Sequence, residues 1–184
     1  DEIVSIESSL SAAELAEARG RYADAKWHYR RLIAHAQVIN YEYEEWAQRL
    51  AKMYTLLGRH KEAGLVWLYL RFFEQARTSF EKGRAHLELA HCLALGKHWV
   101  AAARIFAQEE RPVLSAIAYE EGKDHQKAYE LWKLVGQDAR LSASSYERAL
   151  AQFNAGMAAA KLERSEATAA MARRHIVAAQ RLLE

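Results

Sequence analysis

Gly58-Arg59-His60-Lys61-Glu62-Ala63 is a stretch that recurs in the chain with small changes. Related segments begin at Gly20, Gly96 and Gly122, and each has a basic residue directly after the glycine and an alanine five or six positions after it. Glycine tolerates a positive φ, so it can end a helix in a left-handed cap. The alanine is small enough for the next helix to cross the preceding one closely. The stretch therefore predicts helix hairpins.

The spacing of these segments predicts a repeat. Gly20, Gly58 and Gly96 are equally spaced along the chain, and Gly122 follows after a shorter interval. Four positions after each alanine stands a bulky residue, which lies on the same helical face and is predicted to be buried with it. The predicted pairs of small and bulky core residues are Ala25 with Tyr29, Ala63 with Trp67, Ala101 with Ile105 and Ala128 with Trp132.

The order of small residue, aromatic residue, glycine turn, second small residue and second aromatic residue resembles the tetratricopeptide repeat (TPR) family over roughly residues 6–135. The 38-residue period exceeds the ~34 residues usual in that family and is similar to the longer-helix variants of kinesin-light-chain-like and peptide-sensing regulators. Glu88 departs from the pattern, because it stands where an apolar residue is expected. The resemblance implies an all-α fold, a right-handed α-solenoid of antiparallel helix hairpins with about four to five repeats.

We expect one solenoid domain over residues 1–184. The predicted repeats cover 6–40, 42–79, 81–110 and 111–136, with a degenerate or capping helix pair at 141–184. The predicted helices are 5–19, 23–40, 42–57, 61–79, 81–95, 99–109, 112–121, 125–135, 142–161 and 165–183. Ser144 and Glu147 are spaced as a capping box for the helix that follows them. The chain begins without Met and ends inside an apparent helix, so we expect it to be a fragment of a longer protein.

Composition and motifs give no support for an enzyme. The single cysteine, Cys92, excludes a multi-cysteine metal site, and no glycine-rich phosphate loop is present. His86 and His91 are five positions apart, which points them about 140° apart on a helix and makes them poor joint ligands. We therefore predict a non-enzymatic protein with no catalytic residue, no metal and no cofactor.

Charge and hydropathy bear on the kind of partner. The net charge of +2 gives no general attraction to nucleic acid. Basic residues are concentrated in 18–35 and acidic residues in 1–17, and we predict that these two helices neutralise each other, so no nucleic-acid partner is expected. No run reaches the ~18 apolar residues of a membrane helix, so no membrane insertion is expected. We expect a cytoplasmic location, with a signal peptide removed from the precursor as the alternative.

The TPR resemblance also implies where a partner binds. In that family the first helix of each pair lines a concave groove, and carrying the groove positions over gives a candidate set. This set is Glu14, Glu17, Glu45, Gln48, Lys52, Thr55, His86 and Leu93. The predicted function is an interaction domain, a scaffold or adaptor, that binds a peptide or helical segment of a partner protein. The alternatives are a peptide-sensing regulatory solenoid of a larger regulator and a structural module that forms a homodimer.

A second candidate surface lies on the predicted helix 61–79. The run Leu65–Phe73 is apolar except for Arg71, so it covers nearly the whole helix circumference with apolar side chains. One hairpin cannot bury all of them. Either long flanking helices cover the rest, or the rest forms an exposed apolar patch, which marks a surface for a partner or for self-association. The candidate residues of this alternative are Tyr69, Phe72 and Phe73, together with Trp27 and Trp99.

Overall fold

The structure, a computed structural model, describes residues 2–38, 42–138, 145–162 and 166–183. Within these ranges it consists of eleven α-helices and no β-strand. The helices are α1 (Glu2–Ala18), α2 (Tyr22–Val38), α3 (Glu44–Leu56), α4 (His60–Tyr69), α5 (Phe73–Lys82), α6 (His86–Leu95), α7 (Trp99–Gln108), α8 (Pro112–Glu121), α9 (His125–Gln137), α10 (Ser145–Lys161) and α11 (Glu166–Leu183). The prediction of an all-α array of helix hairpins is confirmed.

The chain forms two compact units, Asp1–Cys92 and Leu93–Glu184. In the first unit α1 packs on α2, α2 on α3, α3 on α4 and α4 on α5. In the second unit α7 packs on α8, α8 on α9, α9 on α10 and α10 on α11. Each unit is therefore a series of helices that pack on their neighbours in sequence. The organisation of residues 1–184 as one domain stays a prediction.

Seven turns between successive helices share one hydrogen-bond pattern. After α1, the N–H of Gly20 donates to the carbonyl of Glu17 and the N–H of Arg21 donates to the carbonyl of Ala16. This is the Schellman arrangement, which satisfies the last carbonyls of a helix and requires a left-handed residue. The left-handed residues of the seven turns are Gly20, Gly58, Arg71, Arg84, Lys97, Glu110 and Lys123.

From α4 to α9 the helices begin at a constant 13-residue interval. Their first residues are His60, Phe73, His86, Trp99, Pro112 and His125. The equal spacing of the three glycines did not reveal this shorter period, because equal lengths of chain contain different numbers of helices. Two helices, α2 and α3, lie between Gly20 and Gly58, whereas three helices, α4, α5 and α6, lie between Gly58 and Gly96.

The predicted helix 61–79 is therefore wrong. The chain turns at Arg71, which has a φ of 62°, so α4 ends at Tyr69 and α5 begins at Phe73. A second turn at Arg84, with a φ of 51°, delays the helix predicted over 81–95 until His86. Both turns have an arginine where a glycine would have signalled the end of a helix.

The buried core follows the left-handed residues. Five positions after six of them, small side chains that are 0% exposed lie at the helix crossings: Ala25, Ala63, Ala76, Ala102, Ser115 and Ala128. Ala101 and Ile105 were wrong core predictions, because Lys97 rather than Gly96 is the left-handed residue and the register moves by one. Ala101 is exposed and Ile105 is half-buried, and Ala102 and Phe106 take the predicted core positions.

The C-terminal helix pair is present as α10 and α11. The buried side of α10 is rich in alanine, which permits close packing. Ser144, the predicted helix cap, lies outside the described residues. Of the bulky residues predicted to be buried in the other repeats, Tyr29 and Trp132 are buried, whereas Trp67 is only half-buried.

Candidate functional site

Arg49 joins the first and third helices on one face of the first unit. Its Nη1 lies 3.7 Å from Glu14 Oε1 and 3.6 Å from Glu17 Oε2, both on α1, and its Nη2 lies 3.2 Å from Glu45 Oε1 on α3. Three of the predicted groove residues therefore surround one guanidinium. The face formed by α1 and α3 carries more carboxylates than this arginine neutralises.

Tyr29 supports this cluster from the buried side of α2. Its hydroxyl donates to Glu17 Oε2 at 2.7 Å and accepts from Arg49 Nη1 at 3.4 Å. Burial, followed by the hydrogen bond to Glu17, raises the pKa of Tyr29 to about 12. The phenol therefore stays protonated and helps to hold the glutamate and the arginine in position.

The remaining predicted groove residues of α3 also lie on its outer side. Gln48 is half-buried and its Nε2 donates to Glu44 Oε1 at 3.4 Å. Lys52 and Thr55 are exposed, and the Thr55 hydroxyl donates to the carbonyl of Ala51 within the helix. The opposite side of α3 is buried and carries Trp46, Leu50, Met53 and Tyr54. The polar residues of α3 are thus available to a partner without being needed for the core.

A cleft of about 930 Å³ continues this face at the start of α3 and the end of α4. Its lining residues are Glu42, Tyr43, Glu44, Glu45, Trp46, Tyr69 and Leu70. The hydroxyls of Tyr43 and Tyr69 lie 2.7 Å apart, and this hydrogen bond lowers the pKa of Tyr43 and raises that of Tyr69. Glu45 and Tyr69, which the sequence assigned to two different surfaces, line one cleft. Sequence reasoning missed Glu42 and Glu44 as members of this site, although the cluster of glutamates was visible.

His86 and Leu93 lie on α6. Glu88 of α6, the residue that departs from the repeat pattern, forms an ion pair with Lys61 of α4. Lys61 lowers the pKa of Glu88. α6 thus pairs with α4 as α3 pairs with α1, because the additional helix α5 shifts the alternation. His86 is exposed and Leu93 is half-buried.

The predicted apolar surface is divided between helices. Tyr69 is 64% exposed at the end of α4, whereas Phe72 and Phe73 are half-buried. Phe73 packs against a core cluster formed by Ala76, Phe80, Ala85 and Cys92. Phe72 and Phe73, which the sequence analysis assigned to an exposed patch, therefore pack at the junction of α4 and α5.

The two additional tryptophans differ in exposure. Trp27 is 51% exposed on α2, with the Arg31 guanidinium 4.7 Å from its ring centre. Trp99 is half-buried, and its Cβ would lie 3.1 Å from a Cβ added at Gly122.

The predicted neutralisation between α1 and α2 is wrong in its partners. Glu14 and Glu17 pair with Arg49 of α3, and Arg21, which directly precedes α2, pairs with Asp24 of α2 at 3.6 Å. The acidic side of α1 is consequently directed to α3, and most of the basic residues of α2 remain on its outer side.

Cys92, the single cysteine of the chain, is buried. Burial raises the pKa of its thiol, which lies 3.6 Å from the carbonyl oxygen of Phe73. In residues 2–38, 42–138, 145–162 and 166–183, no group of three or more His, Cys, Asp or Glu side chains is arranged to hold a metal ion. None of the helices in the described part of the chain has both the length and the apolar character needed to cross a membrane.

The helix hairpins, the seven Schellman turns and the small residues at the crossings together define the architecture. The fold is an α-helical repeat of hairpins. Similar solved structures include nearly identical TPR-like repeats from Podosopora anserina assigned to a kinesin light chain, at 17% identity, with 97% of this chain and 94% of that chain covered and a TM-score of 0.45. A variant of that protein with one substitution aligns at 15% identity over 100% of this chain and 98% of that chain, with a TM-score of 0.43. No protein-family model and no curated protein matches this chain.

Proposed function

We propose that this TPR-like protein is a non-enzymatic interaction scaffold, and that the face of α1 and α3 binds a segment of a partner protein. The observation that carries the proposal is the position of Arg49, which draws Glu14, Glu17 and Glu45 from two helices onto one accessible face. A face built from two helices offers a longer binding track than either helix alone.

The charge of this face favours a partner segment with lysine or arginine. Glu14 and Glu45 keep side-chain exposures of 49% and 77% while they face a single arginine, so they can accept further hydrogen bonds. Hydrogen bonds between a basic side chain and a carboxylate are about twice as strong as those between neutral groups. In the adjoining cleft, Glu44 extends the acidic surface, and the rings of Tyr43 and Tyr69 can pack against the aliphatic part of the incoming side chain.

The polar residues of α3 would set the position of the bound segment. Gln48 offers both a donor and an acceptor, and Lys52 can donate to a carbonyl of the segment. Both lie on the outer side of the helix that carries Arg49. The segment would then run along α3, with its basic end at Glu45 and its opposite end at Thr55.

Selection from a displayed library of random peptides about 12 residues long, on the intact chain, tests the proposal. We expect the selected peptides to be enriched in lysine and arginine. Replacing Glu14 and Glu45 together by Gln should lower the affinity for the selected peptides by at least about tenfold. Replacing Gln48 and Lys52 together by Ala should have the same effect. The matched control replaces Glu74 and Glu81 by Gln, which removes two exposed carboxylates of α5 in the same unit and should leave the affinity unchanged.

Two results would contradict this function. Selected peptides that bind equally to the wild type and to the Glu14/Glu45 variant would exclude the α1–α3 face. Peptides whose affinity falls on His86→Ala but not on the Gln48/Lys52 change would place the binding surface on α6. Thermal unfolding of every variant distinguishes lost binding from lost folding.

A further inference from the structure

The second unit carries an apolar groove of its own. α10 and α11 enclose a volume of about 250 Å³, lined mainly by Leu150 and Phe153 from α10 and by Ile176 and Leu183 from α11. Leu150, Phe153 and Leu183 remain 47%, 44% and 63% exposed. Large apolar side chains gathered in an accessible groove are typical of a docking surface for an amphipathic helix.

α9 occupies a different side of this helix pair. The Tyr129 hydroxyl of α9 lies 3.0 Å from His175 Nε2 of α11, and Gly136 of α9 is packed against Gln152 of α10. Gln152 and the alanines around it are buried, whereas Phe153 is exposed. The groove is therefore not the surface by which α10 and α11 pack on α9.

The exposed charges of α11 are positive, whereas α10 carries Glu147 one turn before Leu150. Arg173, Arg174 and Arg181 are exposed, and from Ala167 to Leu183 the sequence contains no acidic residue. Arg173 and Arg181 each stand four positions from Val177, so they lie one helical turn on either side of this 44% exposed valine. Positive side chains thus flank the accessible side of α11.

We propose that the α10–α11 groove binds an acidic amphipathic helix of a partner protein. The apolar side of that helix would pack on Leu150, Phe153 and Ile176, and its carboxylates would pair with Arg173 and Arg181. A second copy of the chain fits less well, because from Ala167 to Leu183 it offers no acidic residue to pair with Arg173 and Arg181. The proposal concerns the second unit alone and does not depend on the ligand of the α1–α3 face.

Two synthetic peptides of about 18 residues, matching the length of α11, test the proposal with the intact chain. Both carry leucines at helical spacing, and they differ only in having glutamate or lysine at the flanking positions. Fluorescence anisotropy should show at least about tenfold tighter binding of the glutamate peptide, and this difference should shrink as salt is raised because exposed charges are screened.

Variants separate the apolar and the charged contributions. Phe153→Asp and Leu183→Asp, tested separately, should each lower the affinity for the glutamate peptide at least about tenfold. Arg173→Gln combined with Arg181→Gln should make the affinities for the glutamate and lysine peptides equal. The matched controls, Leu56→Asp at a 56% exposed site on α3 and Arg84→Gln, should leave binding unchanged. Equal binding of the two peptides, binding of neither, or a dimer in sedimentation equilibrium that Phe153→Asp dissociates would each overturn the proposal.

Discussion

The ring of Phe80 in α5 occupies the space that a side chain at Gly64 of α4 would need. A Cβ added at position 64 would lie 2.5 Å from Cε1 and 2.6 Å from Cδ1 of this ring. Phe80 is 0% exposed, so its ring cannot move aside into solvent. The close crossing of α4 and α5 therefore depends on glycine at position 64.

Gly64→Ala should destabilise the protein. Alanine favours a helix by about 1 kcal/mol over glycine, but overpacking a core costs about 1–3 kcal/mol, and we expect a net loss of about 1–2 kcal/mol because the ring is fully enclosed. Urea unfolding measures the change. Combining Gly64→Ala with Phe80→Leu should cost less than the sum of the two single changes, and strict additivity would show that the two residues do not interact.

Substitutions at two left-handed turn residues should change the stability of the protein in opposite directions. A Cβ at Gly58 would meet no atom within 4 Å, so Gly58→Ala isolates the backbone cost of a φ of 71° and should destabilise by about 1–2 kcal/mol. Lys97→Gly, at a φ of 63°, should be neutral or stabilise by up to about 1 kcal/mol, because relief of the strain outweighs the added freedom of the unfolded chain. Thermal unfolding provides both values.

The control for these turns is a glycine placed inside a helix. Ala101→Gly, at an exposed position of α7, should destabilise by about 1 kcal/mol. A Lys97→Gly variant that loses as much stability as Ala101→Gly would show that Lys97 is not in the left-handed conformation.

In a titration towards high pH, Tyr29 should lose its proton at a higher pH than an ordinary tyrosine. Its pKa in the folded protein is about 12, compared with 10.0 for an ordinary tyrosine. Because the folded pKa is raised, the stability due to Tyr29 is complete below pH 10.0 and is lost as the pH rises towards about 12. In an ultraviolet titration of phenolate formation, Tyr29→Phe should remove the latest ionisation, whereas Tyr69→Phe should leave that phase in place.

His175 should make the stability of the second unit depend on pH. Gln152 Oε1 lies 2.6 Å from its Nδ1, so Nδ1 donates to that oxygen, and its Nε2 lies 3.0 Å from the Tyr129 hydroxyl. Burial, followed by the charge of Lys133, lowers its pKa below the ordinary 6.5. A lowered folded pKa means that the unfolded chain binds the proton first, so stability is present above pH 6.5 and is lost as the pH falls from there through the folded pKa.

The measurement is urea unfolding at several pH values on either side of this window. His175→Gln should reduce the loss of stability between about pH 7.5 and pH 5.5, whereas His98→Asn, at an exposed site, should not. An NMR titration of His175 that gives an ordinary or raised pKa would contradict the assignment.

Part of this architecture could be predicted from the sequence because it depends on residues with unusual conformational freedom. Gly20 and Gly58 end α1 and α3 with a positive φ, and the alanines five positions later are buried as predicted. The turn at Arg71 could not be found in this way, because arginine rarely adopts the left-handed conformation and its presence in the apolar run favours a continuous helix. The missing signal was the 13-residue spacing that separates the small residues Ala63 and Ala76.

The same missed turn explains the outcome at the candidate site. The predicted groove residues of α1 and α3 precede Arg71, and the structure places the three glutamates among them around Arg49. His86 follows the turn, and the unpredicted helix α5 precedes the helix that carries it. The Tyr43–Tyr69 hydrogen bond could not be predicted, because it joins two helix ends that are 26 residues apart in the chain.

The constant 13-residue spacing of helix starts has a consequence for changes in chain length. Within either unit, removing or duplicating two such intervals changes the array by two helices, and the later helices of that unit keep their direction. A change of a single interval would preserve each local turn but reverse the direction of every later helix in the unit. Side chains that now lie at the buried crossings would then be presented by helices running the opposite way. Length variants that still fold should therefore differ by whole hairpins.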